Sequence, residues 1–482
     1  MIVTRRQIAN ISTRLLPFSD AASESLPLAQ LLRLSLFQVS VGMAGVMLLG
    51  TLNRVMIVEL SVPATLVAIM VALPVLIAPF RALLGFKSDN YRSAIGWKRI
   101  PYLWFGSLWQ MGGLAIMPAS LLVLGGDVAY DVPFAGEVLA ALAFIGTGLG
   151  MHMTQTAGLA LAADRATDET RPRVVALLYV MFLVGMGVSA LIIGWLLRDF
   201  SGVRLIQVIQ GTAMATMILN LVALWRQERV RPMTAEERAA PAPAFADAWQ
   251  DLMSGGTAGR LLAVVFLGTM AFNMQDVLLE PYGGEILGLS VSATTLLTAG
   301  WAGGALVGFA LAARWLARGV VAMRMAGRGL LVGLAAFSAV IFAAPMDAPA
   351  LFFAGAAGIG LGGGLFAVAT LTAAMTLPDT ERTGKGLALG AWGAAQATAI
   401  GLATLIGGAL RDAVNAAALS GDLGEALASP ATGYSVVYHL EIALLFLTLA
   451  ALGPLVTRAM RSAPPPNRNQ GSAGLGLADF PT

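Results

Sequence analysis

Apolar residues run along this chain in long stretches, without the period-two alternation of a membrane barrel. A helix needs about 20 mostly apolar residues to cross a bilayer. Twelve such stretches can be read, at 31–52, 63–85, 102–124, 134–162, 174–197, 205–226, 261–282, 292–316, 326–345, 349–376, 387–410 and 434–457. Most hold one or two polar residues and end at Pro, Gly or a charge. In lipid every backbone polar group must be paired internally, so these stretches predict helices. The fold class expected is an all-α polytopic membrane protein. Segment 1–18 lacks a long apolar run and a small-residue cleavage site, which argues against a cleaved signal peptide. Within it, Ile8, Ile11, Leu15 and Leu16 fall opposite Arg5, Arg6 and Arg14, predicting a short interfacial helix over 5–16.

Composition narrows the classes further. Hydrophobic residues make up 57% of the 482 and charged residues 12%, about half the charged share of a soluble domain. A soluble globular protein, a disordered chain and a nucleic-acid binder are excluded, because no water-facing surface can be built from so few charges. The absence of Cys removes disulfides, thiol nucleophiles and Cys-ligated metal sites, and two His argue against a His-rich metal centre. Charge placement sets sidedness. With both ends cytoplasmic, the tails, even-to-odd loops and adjoining helix ends hold 26 of the 30 Lys and Arg. The other side keeps Arg54, Arg198, Arg204 and Arg411. The positive-inside rule then predicts both termini in the cytoplasm.

Five segments are expected: an N-terminal cytoplasmic segment (1–30), a six-helix bundle (31–226), a cytoplasmic linker (227–260), a second six-helix bundle (261–461) and a tail (462–482). The linker contains RQERVRPMTAEERAAPAPAF, rich in charge, Ala and Pro, and the tail has too few apolar side chains to pack. A weak repeat supports two halves: Gly194–Asp199 closing the fifth span resembles Gly407–Asp412 closing the eleventh. The same offset sets the charged loop 164–173 opposite 377–386. Two six-helix halves related by an axis along the membrane normal form the twelve-helix major facilitator fold.

Several motifs carry two readings each. Gly358 to Gly364 contains a formal GxGxxG, but it lies inside an apolar span without a preceding strand, so helix packing explains it better than dinucleotide binding. Gly300, Gly304 and Gly308 read the same way. The loop after the second span joins Gly85 and Asp89 to Gly96, Trp97, Lys98 and Arg99. Gly85 permits a tight turn, and Asp89 can cap a neighbouring helix and pair with an Arg. A conformational latch of Gly85, Asp89, Lys98 and Arg99 is expected, against simple positive-inside decoration.

Ionisable residues within spans are costly and are functional candidates. Arg81 is expected to snorkel to the interface, and Arg54 and Glu59 to pair with one another. Asp276 and Glu280, four apart on the seventh helix, form a candidate functional pair, unless that helix is already emerging into water. His152 lies deep in the fourth span with Gln155 and Thr156 following at three and four, a polar stripe facing one way. It can hydrogen-bond to a neighbouring helix, or serve as the single axial ligand of a metal-centred macrocycle, with Gly148 and Gly150 leaving room for a flat ring. His439 reads as interfacial.

Five of these stretches resemble the PucC/LhaA family, the bacteriochlorophyll-delivery branch of the major facilitator superfamily. They are Thr51–Glu59, Phe80–Asp89, Gly96–Tyr102, Thr154–Asp164 and Met274–Gly284. The resemblance runs from about residue 17 to 461 and is nearest to the LhaA type, which serves the light-harvesting 1 antenna. It implies an assembly factor in the inner, intracytoplasmic photosynthetic membrane. It implies bacteriochlorophyll as pigment, with His152, Gln155 and Thr156 the candidate pigment contacts. The implied partners are the antenna alpha and beta polypeptides, the reaction-centre core complex and pigment-synthesis enzymes. The alternative is a proton-coupled small-solute transporter using Asp276, Glu280 or Glu137. No nucleophile–base pair or metal set points to an enzyme.

The topology is checked with a reporter fused after residue 130 or after residue 240. The first should report the non-cytoplasmic side and the second the cytoplasm; a cytoplasmic signal from the first contradicts the assignment.

Overall fold

The computed structural model describes residues 19–462, apart from residues 25, 61, 63, 127–131, 229, 231, 235, 237–242, 255, 290 and 378–383. The helix expected at 5–16 and the tail beyond 462 lie outside the described residues, as does part of the charged loop 377–386.

The chain is a bundle of long helices. α1 runs Leu28–Gly45 and continues through a π-helical stretch, Val46–Leu52, into Asn53–Val58. α2 is Ala64–Ile77, a 3-10 turn Ala78–Phe80, then Arg81–Asp89. α3 to α6 are Ile100–Leu124, Ala135–Arg165, Arg171–Leu196 and Gly202–Leu224. α7 is Thr257–Asn273, a 3-10 turn Met274–Val277, then Leu279–Glu285. α8 to α12 are Val291–Ala317, Ala322–Ala343, Pro349–Met375, Lys385–Leu419 and Ala431–Ser462. Among the described residues eleven helices are long and apolar enough to cross a membrane, and α8, at 27 residues, is of comparable length. The chain is a multi-pass membrane protein. The end of the bundle bearing the 89–100 loop is called the basic end below.

Two departures from the apolar runs have physical causes. α11 has 35 residues, about 50 Å at 1.5 Å per residue, against about 30 Å of hydrocarbon. Its last turns, with Arg411, Asp412 and Asn415, continue past the apolar run that ends at 410, and there Arg411 pairs with Glu285 at 2.6 Å and its guanidinium stacks over Tyr434. α7 breaks within a run read as continuous, at the polar sequence Asn273-Met-Gln275-Asp276.

Small residues bring helices together. A Cβ at Gly360 would overlap the Trp301 carbonyl of α8, and one at Gly304 the Ala357 carbonyl of α10. The GxGxxG run is therefore a packing surface between α8, α9 and α10. Between the halves, α2 lies against α11 and α5 against α8, where Tyr179 stacks on Phe309 with centroids 5.1 Å apart.

Gly304→Leu would force those backbones apart, and overpacking of this kind costs about 1–3 kcal/mol or more. The melting temperature should fall well below that of Gly303→Leu, since Gly303 faces open space; equal melting of the two variants contradicts this packing.

Candidate functional site

Asp89, the last residue of α2, stands against the start of α11. Its carboxylate accepts the backbone N–H of Gly386 at 2.9 Å and of Leu387 at 2.7 Å. The first N–H groups of a helix lack intrahelical partners and carry the positive end of its dipole, so a carboxylate there is held by geometry and by field. Arg99 pairs with Asp89 at 2.5 Å and with Asp164 of α4 at 3.0 Å, and donates to the Ser88 hydroxyl at 2.7 Å. Asp89 and Arg99 side chains are 8% and 5% exposed, so little water screens them. Burial disfavours the Arg99 cation, but Asp164 and Asp89 outweigh it and raise its pKa above the usual value.

This knot needs small residues beside it. A Cβ on Gly85 would overlap the Gly386 carbonyl, and one on Gly386 the Arg99 guanidinium. Lys98 enters differently from expectation: its side chain stays exposed and only its backbone N–H takes part. That N–H and those of Arg99 and Ile100 point at the Glu228 carboxylate, 3.0–3.3 Å away, which caps the start of α3. A short amphipathic helix in the linker, Phe245–Ser254, lies across the same junction. Its Ala248 is buried with Ala82, Phe86, Leu387 and Ala391, and Phe245 meets Phe86 edge-on at 5.5 Å. Both halves and the linker thus converge at the basic end.

About two helical turns deeper than Asp89, Arg81 is 2% exposed. It does not snorkel. Its Nε donates to the Thr156 hydroxyl at 3.1 Å and its Nη1 to the Gly393 carbonyl of α11 at 3.3 Å. Gly393 leaves the volume that the guanidinium occupies and Gly390 lets the Arg81 backbone approach, so α2 carries a cation into the interface instead of toward water.

The polar stripe on α4 is satisfied within the protein. His152 Nε2 lies 2.8 Å from the Pro74 carbonyl; a carbonyl only accepts, so Nε2 carries the proton. Gln155 donates to Gln38 of α1 at 3.4 Å, and Thr156 holds Arg81. The space expected for a flat ring is filled: a Cβ on Gly148 would meet the Pro74 ring, and one on Gly150 the Gln110 backbone. His152 therefore has the hydrogen bond of the first of its two readings, and the room expected beside Gly148 and Gly150 is taken by α2 and α3. His439 bonds the Ser435 carbonyl one turn earlier on its own helix.

Asp276 and Glu280 do not share a helix face. The 3-10 turn, with about three residues per turn, breaks the i,i+4 register between them. Asp276 accepts from the Gln275 side chain at 2.5 Å, whereas Glu280 accepts from the Thr298 hydroxyl. The carboxylate near Asp276 is Glu441 of α12, fully buried, which accepts the Gln275 backbone N–H at 2.6 Å. The Arg54 side chain, and with it the expected pairing with Glu59, lies outside the described residues.

Two cavities bear on function. One of about 190 Å³ lies between the halves, walled by Tyr179, Trp301, Phe309, Phe366 and Gln396. It is smaller than the 300–1,000 Å³ of most ligand sites. The other, about 660 Å³, is a cleft between α5 and α6 with Met43 of α1 at its floor. Ile192, Trp195 and Gly211 line it, and Arg198, Asp199 and Arg204 stand at its mouth. Ile192 and Trp195 are 49% and 64% exposed, so the cleft presents open apolar side chains beside its charged residues.

Asp89→Asn keeps the size of the side chain but removes the charge facing Arg99. Removing one partner of a buried ion pair costs about 3–5 kcal/mol. A single cysteine placed at Gln396 should then react with a thiol reagent applied from the basic end at least about tenfold faster, since each tenfold is about 1.4 kcal/mol. Unchanged labelling would show that Asp89 does not hold this end shut.

The family model described as PUCC protein matches residues 51–460. A Rhodobacter capsulatus protein described as "Uncharacterized protein in puhA-bchM intergenic region" is 64% identical over all 482 residues, covering 100% of both chains. "Protein PucC" of Rhodovulum sulfidophilum is 54% identical over 85% of this chain and 90% of its own. Among solved structures, a bacterial homologue of the iron transporter ferroportin in an outward-facing state superposes with a TM-score of 0.68 at 14% identity, covering 89% of this chain and 100% of that one. That likeness shows the facilitator fold alone. With a family model spanning most of its length and relatives at this identity, the chain belongs to the PucC family.

Proposed function

We propose that this protein is an assembly factor for photosynthetic light-harvesting complexes, of the type that serves the light-harvesting 1 antenna around the reaction centre. It works in the inner, intracytoplasmic membrane of a phototrophic bacterium, with both termini cytoplasmic and without catalytic chemistry of its own. It holds antenna alpha and beta polypeptides, and bacteriochlorophyll destined for them, beside the growing core complex and within reach of pigment-synthesis enzymes. The observation that carries this reading is the lateral cleft between α5 and α6. A solute carrier needs a central aqueous path, whereas here the centre is narrow and aromatic and the larger cavity presents open apolar side chains. Single-span helices arrive from the side, and Gly194 and Gly211, both facing open space, let a visiting backbone approach closely.

The Asp89–Arg99 knot is the latch of this machine in our reading, holding the basic end closed while clients bind at the opposite end. Bacteriochlorophyll is cargo rather than a resident group. His152 is not assigned to it, because Pro74 and Gln110 take the room a macrocycle would need. A second reading, proton-coupled solute transport, is favoured by the carboxylates at the break in α7.

The experiment places a photo-crosslinking residue at Trp195 in tagged protein and irradiates pigmented membranes. The expected result is a covalent adduct with an antenna polypeptide, weakened several-fold by Gly211→Trp, which fills the cleft. Adducts with lipid alone, together with no co-purifying antenna subunit or pigment, would move the transporter reading ahead.

A further inference from the structure

The break in α7 gathers groups that the assembly reading does not use. Non-helical backbone at membrane depth persists where protein packs around it or where it lines a site, and in several transporter folds discontinuous helices form the ion sites. Here the N–H of Gln275, freed by the 3-10 turn, donates to Glu441 Oε1 at 2.6 Å. The Gln275 side-chain Nε2 donates to Asp276 Oδ1 at 2.5 Å. Gln275 thereby joins two carboxylates from different helices.

Capping of the broken helix accounts for one oxygen of Glu441 and leaves the rest unexplained. Glu441 Oε2, Gln275 Oε1 and the Tyr438 hydroxyl are buried without a hydrogen-bond partner. Their residues are 0%, 2% and 0% exposed. The first two are the second oxygens of groups already in contact, so they belong to the same knot. Tyr438 precedes Glu441 by three residues on α12, on the same face. An orphaned buried oxygen costs about 1–3 kcal/mol, more for a charged group, unless a ligand takes up its lone pairs. The C-terminal end of the first segment of α7, Thr257–Asn273, points its negative dipole end at this place. Two carboxylates at a negative helix end repel one another and attract a cation.

The donor set also fixes the class. It is all oxygen, two carboxylates with amide and phenol oxygens and no His or Cys. Carboxylate, amide and phenol oxygens suit hard cations and not zinc or copper. Asp276 reaches the accessible surface while Glu441 is buried, which gives the site an entrance and a floor.

We propose that the break in α7 is a binding site for a hard, oxygen-ligated cation, sodium or calcium, held by Asp276, Glu441 and Gln275 with Tyr438 beside them. The site does not depend on the assembly reading and serves a client-handling protein or a transporter equally.

The test uses the full-length protein in lipid nanodiscs near neutral pH. Thermal unfolding is followed in sodium chloride and in calcium chloride, against N-methylglucamine chloride at matched ionic strength. One of the two cations should raise the melting temperature saturably by several degrees, as a ligand that binds only the folded state must. Sodium acting alone assigns an alkali-metal site, and calcium acting at far lower concentration assigns an alkaline-earth site. Glu441→Gln should abolish the rise. Asp276→Asn, at the accessible edge, is the second variant should Glu441→Gln fail to fold. Its equilibrium binding of radioactive sodium or calcium should be weakened at least about tenfold relative to wild type, the lower end of what losing a group at a metal site costs. Identical melting in all three salts, no saturable binding by wild type, or an undiminished rise in Glu441→Gln would overturn the proposal; the first with stability gained only on acidification would assign a shared proton instead.

Discussion

A carboxylate withdrawn from water between two helix bundles is destabilising unless its lone pairs are filled, and Asp89 fills them from three directions. Two backbone N–H groups of α11 and the Arg99 guanidinium meet it within 2.9 Å. The rest of the basic end depends on this arrangement. The helix start it caps belongs to the second half, while the arginine that neutralises it is held by Asp164 and Ser88 of the first. Any separation of the halves here strips a buried charge of its partners. Because backbone N–H groups of α11 are involved, the contact also fixes the height of α11 along α2, which a pair of long side chains alone would leave loose.

That register sets the chemistry about two turns deeper. With Gly85 on Gly386 and Gly390 on the Arg81 backbone, Gly393 comes level with the Arg81 guanidinium and supplies a carbonyl to it. Thr156 completes the site from α4. A cation can stay at this depth because the surrounding helices offer oxygens that lipid does not. The polar stripe of α4 is thus part of the scaffold that holds α1, α2 and α4 together. The α5–α6 cleft and the broken α7 lie toward the other end. Tight closure at one end and looseness at the other is the asymmetry expected of a facilitator caught with its basic side sealed.

Much of this was legible in the chain. The spans could be read because lipid tolerates only helices with paired backbones, and the Gly85–Asp89 spacing pointed to a cap and an arginine partner. The residues that escaped reading did so for identifiable reasons. Glu228 sits about 130 positions from the N–H groups it caps, in a linker where charge reads as solvation. Arg81 lies near a span end, a position that ordinarily means snorkelling; the signal for its burial is on another helix, in the small residues Gly386, Gly390 and Gly393. Glu441 was visible as a lone acid within an apolar run, but its meaning depends on Gln275, 166 positions earlier. Asp276 and Glu280 were set on one face by assuming an unbroken α-helix, and the polar run at 273–276 that breaks it was the available warning. His152 shows the limit most clearly: deep placement of an imidazole is a fact of sequence, but whether glycine beside it makes room or is filled by another helix is a fact of packing.

The central claim is that the basic end is sealed by Asp89 and Arg99, and distance measurement between spin labels tests it most directly. Labels at the exposed Lys87 and Arg318 report across the halves at the basic end, and labels at the exposed Phe200 and Asp422 at the opposite end. In lipid the wild-type protein should give one narrow, short distance between Lys87 and Arg318, which broadens and lengthens in Asp89→Asn while the distance between Phe200 and Asp422 shortens. A long, broad distribution at the basic end in wild type, unmoved by Asp89→Asn, would contradict the account.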